Sequence, residues 1–304
     1  MRFDGSFFLR ELPMKTCLLP GGGQIPVLGL GTWRLGEASS RRAQEVGAVR
    51  SAIAMGYRLI DTAEMYADGA AESLIGKAIA DAIRAGDVRR EDLCIVSKVY
   101  PHNASRKGTV AACERSLARL GLDHLDLYLL HWRSQHPLRE TCEAMQALVA
   151  AGRIARWGVS NFDVEDMQQL FAAQQSLGAG AANANCATNQ VYYSLRARGV
   201  EYRLLPWQRE RGLPLMAYSP IDQGALAQQP LLHELGRRRG ASAAQMALAW
   251  VLRQPGISAI PKAVREDHLR ENLAALDIAL TADDLAQLER EFPAPRRKTP
   301  LAML

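Results

Sequence analysis

Four residues of the 304-residue chain could move a proton together: Asp61, Tyr66, Lys98 and His131. An unperturbed tyrosine titrates near pH ~10 and is a poor acid at neutral pH. An ammonium beside it favours the phenolate and lowers that value. Lys98 is the candidate for the ammonium, and Asp61 for the carboxylate that keeps it charged in a partly buried place. His131 can hydrogen-bond a substrate oxygen. Such a group hands a proton to a developing alkoxide, which is what carbonyl reduction requires. Singly, each has an ordinary explanation. Asp61 suits a helix cap or turn, Lys98 a lysine reaching out from a strand end, His131 a core or rim position and Tyr66 plain packing. The reading therefore depends on whether the fold collects all four.

Other chemistries fit less well. A strand-end lysine can form a Schiff base, as in aldolases, but that leaves Tyr66 without a task. The run Gly29-Leu30-Gly31-Thr32-Trp33-Arg34 has Arg34 where a dinucleotide fingerprint needs its third glycine. His102, His124, His131 and His136 lack HxxxH spacing, so no metal is expected. Five scattered cysteines (Cys17, Cys94, Cys113, Cys142, Cys186) have no CxxC pair and an odd count, which reads as a reduced, cytoplasmic protein.

Short apolar runs alternate with longer amphipathic ones. Strands are expected over 27–31, 58–61, 93–98, 125–131, 156–160, 187–190, 213–218 and 256–260. Helices are expected over 41–55, 72–84, 109–120, 138–150, 164–173, 199–211, 243–252 and 265–274. Ser242 with Gln245, and Thr281 with Asp284, have capping-box spacing or a close variant, and 281–291 reads as an extra helix. Eight strand–helix units predict a parallel sheet and a single (β/α)8 barrel. Residues 15–26, with Gly21-Gly22-Gly23, predict a hairpin ahead of it. Residues 1–14 read as a possible extension and 15–304 as one barrel domain. Trp157, Trp207 and Trp250 read as core. Barrel active sites lie at the C-terminal strand ends. The polar residues there are Thr32, Asp61, Lys98, His131, Ser160, Asn161, Gln190, Tyr218 and Ser219, with Trp33 beside them.

Composition is that of an ordinary globular chain, 48% hydrophobic and 23% charged. It argues against disorder, collagen and coiled coil. No apolar run approaches the ~18 residues of a membrane helix, and the first residues do not form a secretory signal. The net charge of +5 suits an anionic small ligand, while no aromatic-and-basic module points to nucleic acid.

Eight motifs in order resemble the aldo-keto reductase family over nearly the whole chain. They are GLGTW (29–33), LIDTAEMY (59–66), SK (97–98), LDLYLLHW (125–132), WGVSN (157–161), NQ (189–190), AYSP (217–220) and IPK (260–262). AEMYADG and APRRKT resemble the bacterial branch that includes methylglyoxal reductases. The resemblance implies hydride transfer from a nicotinamide cofactor, with Tyr66 as proton donor, Lys98 and Asp61 tuning it, and His131 orienting the carbonyl. It implies that Ser160, Asn161 and Gln190 hold the carboxamide and that Tyr218 stacks on the nicotinamide. Thr32 and Asp61 match positions near the nicotinamide ribose, and Trp33 is a further expected cofactor contact. Ser219, Ile221 and the loop 222–226 match the pyrophosphate clasp. Lys262 matches a 2′-phosphate contact, Glu271 and Asn272 match adenine contacts, and Ile260 and His268 are further expected cofactor contacts. Trp33, Tyr66, Tyr100, His131 and Trp132 would wall the substrate pocket.

Two positions depart from the family pattern. Ala263 stands where many relatives have Ser or Thr, and His268 where many have Arg. A histidine gives a weaker phosphate contact than a guanidinium fork, and one that strengthens on protonation. NADPH remains the expected cofactor because Lys262 is present, with NADH use a second expectation. The expected substrates are small aldehydes and dicarbonyls such as methylglyoxal, in a pocket left open and shallow by a short tail after Phe292. The resemblance also implies a monomer without nucleic-acid or membrane partners. The alternative is a cofactor-binding redox sensor or regulatory subunit with little turnover, as some relatives are.

Overall fold

The computed structural model describes residues 15–178 and 185–304. The possible extension at 1–14 lies outside them. Eight strands form one parallel sheet in sequence order. They are β3 (Leu30–Gly31), β4 (Leu59–Asp61), β5 (Cys94–Val99), β6 (Leu125–Leu130), β7 (Ile154–Ser160), β8 (Cys186–Tyr192), β9 (Leu215–Tyr218) and β10 (Ile257–Ala259). Each hydrogen-bonds to the next. The Ala259 N–H donates to Val27 O at 2.8 Å and the Gly29 N–H to Ala259 O at 2.9 Å, so the first and last strands join. The sheet is a closed (β/α)8 barrel.

The helices follow the strands: α1 (Arg42–Ala54), α2 (Ala70–Ala85), α3 (Arg106–Leu120), α4 (Leu138–Ala150), α5 (Val164–Gln175) and α6 (Leu204–Arg209). After β9 come α7 (Pro230–Arg237) and α8 (Ala243–Leu252), and after β10 come α9 (Glu266–Ala274) and α10 (Ala282–Glu291). Both capping boxes form: Ser242 and Gln245 start α8, and Thr281 and Asp284 start α10. Ahead of the barrel, β1 (Thr16–Leu18) and β2 (Gln24–Pro26) pair as a hairpin whose turn runs through Gly21–Gly23, all at positive φ.

Three local differences from the sequence expectation have physical reasons. The helix expected over 199–211 is one 3-10 turn plus α6, interrupted at Arg203 (φ −137°). The ring of Pro206 would clash with the carbonyl four residues back in a continuous helix. The strand expected over 27–31 keeps regular pairing only at Leu30–Gly31, because 27–29 are taken up in the barrel seam. Helix α7 was not expected, although Pro230 at its first position is a start signal.

Strand side chains alternate, and this positions the site. The inward set is Leu59, Val96, Leu127, Leu129, Met216 and Ile260, which pack together at the base of the barrel. Cys17, Leu19 and Ile25 of the hairpin join them and close that end. The outward set, with Ile60, Ile95, Tyr128, Leu130 and Val159, packs against the helices. Two residues along from Leu59, Val96, Leu129 and Met216, the same inward positions are Asp61, Lys98, His131 and Tyr218. The apolar plug therefore sets the floor on which the polar residues stand. Close approach inside the ring needs glycine: a Cβ on Gly158 would lie 2.5 Å from Thr188 O and 2.9 Å from Leu129 Cδ2. Trp157 and Trp250 are buried, while Trp207 is half-buried against Phe171.

Candidate active site

Lys98 is the centre of a buried polar cluster. Its ammonium donates to Asp61 Oδ2 at 2.7 Å, to Thr62 O at 2.7 Å and to the Tyr66 hydroxyl oxygen at 3.3 Å. Gln190 Nε2 donates to the other Asp61 oxygen at 2.7 Å. Lys98 and Asp61 are 0% and 2% exposed, so their ion pair is stabilised by these extra hydrogen bonds rather than by solvent. The Tyr66 and His131 rings meet edge-on at 5.8 Å. His131 Nδ1 is buried without a hydrogen-bond partner among the described residues, which leaves Nε2 as the nitrogen available to a ligand.

Burial pushes Asp61 up and Lys98 down, each opposed by its partner. Tyr66 is held well above its usual value by burial and by the Asp61 charge. This corrects the expectation that Lys98 lowers it. The ammonium sits closer to Asp61 than to Tyr66, so most of its field is already compensated. The consequence suits a donor: Tyr66 keeps its proton at neutral pH. Burial, reinforced by the Lys98 charge, holds His131 well below the usual imidazole value, so it is neutral there. Lys98 is fully buried, charged and committed to three oxygens, which makes it unsuited to Schiff-base chemistry.

Tyr66, Asp61 and His131 open on a cavity of about 930 Å³ at the C-terminal ends of the strands. Its wall collects Thr32, Trp33, Trp132, Ser160, Asn161, Gln190, Tyr218, Ser219, Ile221 and Ile260. It continues to Lys262, His268, Glu271 and Asn272 on the far side. Of the residues nominated singly from sequence, outside the loop 222–226, Lys98 and Tyr100 are the two not in the lining. Lys98 lies behind Tyr66. Tyr100 lies behind Trp132, packed edge-on against it at 5.1 Å and against His102 at 4.3 Å. Within the predicted clasp, Ser219, Ile221, Gln223 and Gly224 line the cavity, whereas Asp222, Ala225 and Leu226 do not.

Several lining residues were not foreseen. Arg34 follows Trp33 and lies over its ring at 4.5 Å. His233 comes from α7, the helix the sequence reading missed. Met303 and Leu304 also line the cavity, so the tail reaches back to it. Backbone strain marks the same place. Non-glycine residues at positive φ, among the described residues, are Arg34, Ala67, Asp68, Asn161, Ser219, Asp222 and Gln223. Four of them line the cavity and the others adjoin lining residues or follow Tyr66. Each costs on the order of 1–3 kcal/mol, and such costs gather where function demands the conformation.

The amide of Asn161 is fixed at both ends. Its oxygen accepts from the Tyr218 hydroxyl at 3.0 Å, and its nitrogen donates to His131 O and Ser160 Oγ, both at 3.2 Å. Lys262 is exposed and makes no ion pair among the described residues. No helix among the described residues is long and apolar enough to cross a membrane.

A profile described as the Aldo/keto reductase family matches residues 27–291. The chain belongs to the aldo/keto reductase family. It is an oxidoreductase of that family. Methylglyoxal reductase YeaE of Escherichia coli strain K12 is 45% identical over 298 residues, covering 96% of this chain and 100% of that protein. Glyoxal reductase of Bacillus subtilis strain 168 is 33% identical, covering 90% of this chain and 91% of its own length. An aldo-keto reductase of Klebsiella pneumoniae, crystallised in complex with NADPH, superposes with a TM-score of 0.87 at 48% identity. That alignment spans 96% of this chain and 99% of the other.

Proposed function

We propose that the protein reduces small aldehydes and dicarbonyls of the methylglyoxal kind to alcohols, with NADPH as the reductant. The observation that carries this is Tyr66. Its hydroxyl oxygen accepts from Lys98 behind the wall, which leaves its O–H free to donate into the lumen beside His131. NADPH, when bound, supplies the hydride. The cavity residues fit such a cofactor: an amide-bearing floor at Asn161 and Gln190, a flat ring at Tyr218, and on the far side the Lys262 cation, in no ion pair among the described residues.

In this reading Ser160, Asn161 and Gln190 hold the carboxamide and Tyr218 stacks on the ring. Thr32, Trp33 and Asp61 border the nearby ribose, and Ser219 and Ile221 the pyrophosphate. Ile260, Lys262, His268, Glu271 and Asn272 receive the adenosine end. His131 Nε2 orients the carbonyl and Tyr66 delivers the proton to the oxygen as it becomes an alkoxide. Trp33 and Trp132 form apolar walls sized for a small carbonyl compound. The relatives named as methylglyoxal and glyoxal reductases support the substrate class. Five free cysteines support a reduced, cytoplasmic setting, and the reading takes the protein as a monomer.

The test is NADPH oxidation with methylglyoxal and a panel of aldehydes and ketones, with NADH alongside. Rapid turnover of small dicarbonyls, with NADPH preferred, is the expected outcome. Tight cofactor binding with turnover only over many minutes would replace the reductase by a redox sensor. Tight steroid reduction without aldehyde turnover would overturn the substrate class.

A further inference from the structure

The loop after β9 is held in a costly shape. Ser219, Asp222 and Gln223 have φ of 47°, 52° and 51°, and Gly224 follows at 94°. Ser219, Ile221, Gln223 and Gly224 face the cavity, but Asp222 does not. Its carboxylate accepts a hydrogen bond from the Tyr192 hydroxyl on one oxygen. The other oxygen pairs with Arg196 Nε at 3.4 Å. Tyr192 ends β8, is 8% exposed, and stacks face to face with Tyr218 at 5.7 Å and 17°. Tyr218 in turn holds the Asn161 amide. One tyrosine thus ties the strained loop to the ring and amide on the cavity wall, without entering the cavity.

We propose that Tyr192 is a positioning residue for the cofactor, acting as a latch that turns Asp222 outward and holds 219–224 in its cavity-facing shape. This rests on the cavity's being the NADPH site. Two effects follow from the same hydrogen bond. The strained backbone is kept in place before the cofactor arrives, so less ordering is left to binding. The Asp222 carboxylate is also kept off the path of the pyrophosphate, which it would repel. Arg196 is about half exposed, so its share of the latch is minor. Burial and the Asp222 charge push the Tyr192 hydroxyl up to about 12, which keeps it a donor through the working pH range.

Tyr192→Phe keeps the stacking ring and removes only the hydroxyl. NADPH affinity is read by fluorescence titration without substrate, release by stopped-flow displacement, and loop order by amide exchange over 219–226 in the cofactor-free protein. The expected result is a Kd raised about tenfold, mostly through faster release, with faster exchange in that loop. Asp222→Gly removes the carboxylate while accepting the positive φ. It should weaken binding as Tyr192→Phe does, and the double variant should add little. Unchanged exchange and a Kd within twofold of wild type would overturn the latch, as would tighter binding in Asp222→Gly. Asp222→Gly also decides the matter if Tyr192→Phe fails to fold. Exchange needs no cofactor. A wild type that does not bind NADPH therefore sinks the proposed function, while the exchange comparison still decides the latch.

Discussion

The two ends of the cavity are built differently. At Tyr66 every charge has a partner. Asp61, Lys98 and Gln190 form a closed set of hydrogen bonds at 2.7 Å, on strand ends that a packed plug supports from below. At the far side Lys262 is exposed and in no ion pair among the described residues, His268 is exposed, and the neighbouring groups come from loops, the first turn of α8 and the body of α9. Chemistry needs sub-ångström placement of a few atoms, and a rigid barrel floor supplies it. Recognition of a distant phosphate needs mainly positive charge within reach. Ala263 and His268, the two departures from the pattern of the family that the sequence resembles, both lie at that end.

The sharpest way to break this comparison is at Lys98. Lys98→Met removes the ammonium behind Tyr66 and leaves Asp61 buried without its partner. Reduction should fall about a thousandfold, and denaturant unfolding should show a loss of about 3–5 kcal/mol. A stable and active variant would mean the buried pair is dispensable. At the other end, Lys262→Ala should raise the KM for NADPH about tenfold, leave kcat within a factor of two, and leave NADH kinetics unchanged. A large fall in kcat would show that the two ends are not separable.

His268→Arg should sharpen the contrast by completing the far end. A guanidinium can grip phosphate with two bonds, so NADPH should bind about threefold tighter. The smallest effect is expected from pH itself. Tyr66 is shifted up and stays protonated, and His131 is shifted down and stays neutral. Turnover at saturating cofactor should therefore hold level from about pH 6 to 9, because neither group changes its protonation across that range. A decline beginning near pH 7 would mean that a bound cofactor reverses the Tyr66 shift.

Much of the barrel was legible because alternation along buried strands has a fixed period. Leu59 and Asp61, or Val96 and Lys98, must share a face once the strand is recognised. What the pattern cannot carry is loop direction. Tyr100 follows β5 and looked like a cavity wall, but the 3-10 turn Pro101–Asn103 leaves it behind Trp132. Asp222 sits in the expected clasp but is turned outward by Tyr192, a contact between residues 30 apart. His233 was missed with α7, whose eight residues are too few for periodicity to stand out, though Pro230 marked its start. The length of the tail after Phe292 does not say where Met303 and Leu304 come to rest, which is against the cavity.

The central claim is that Tyr66 donates the proton from a site whose cofactor arm is independent of it. Tyr66→Phe tests this most directly, through single-turnover NADPH oxidation with methylglyoxal alongside an NADPH titration of the same protein. The account predicts a rate lowered by about two to four orders of magnitude, with the Kd for NADPH within about twofold of wild type. A folded variant that binds NADPH and reduces methylglyoxal at the wild-type rate would contradict it.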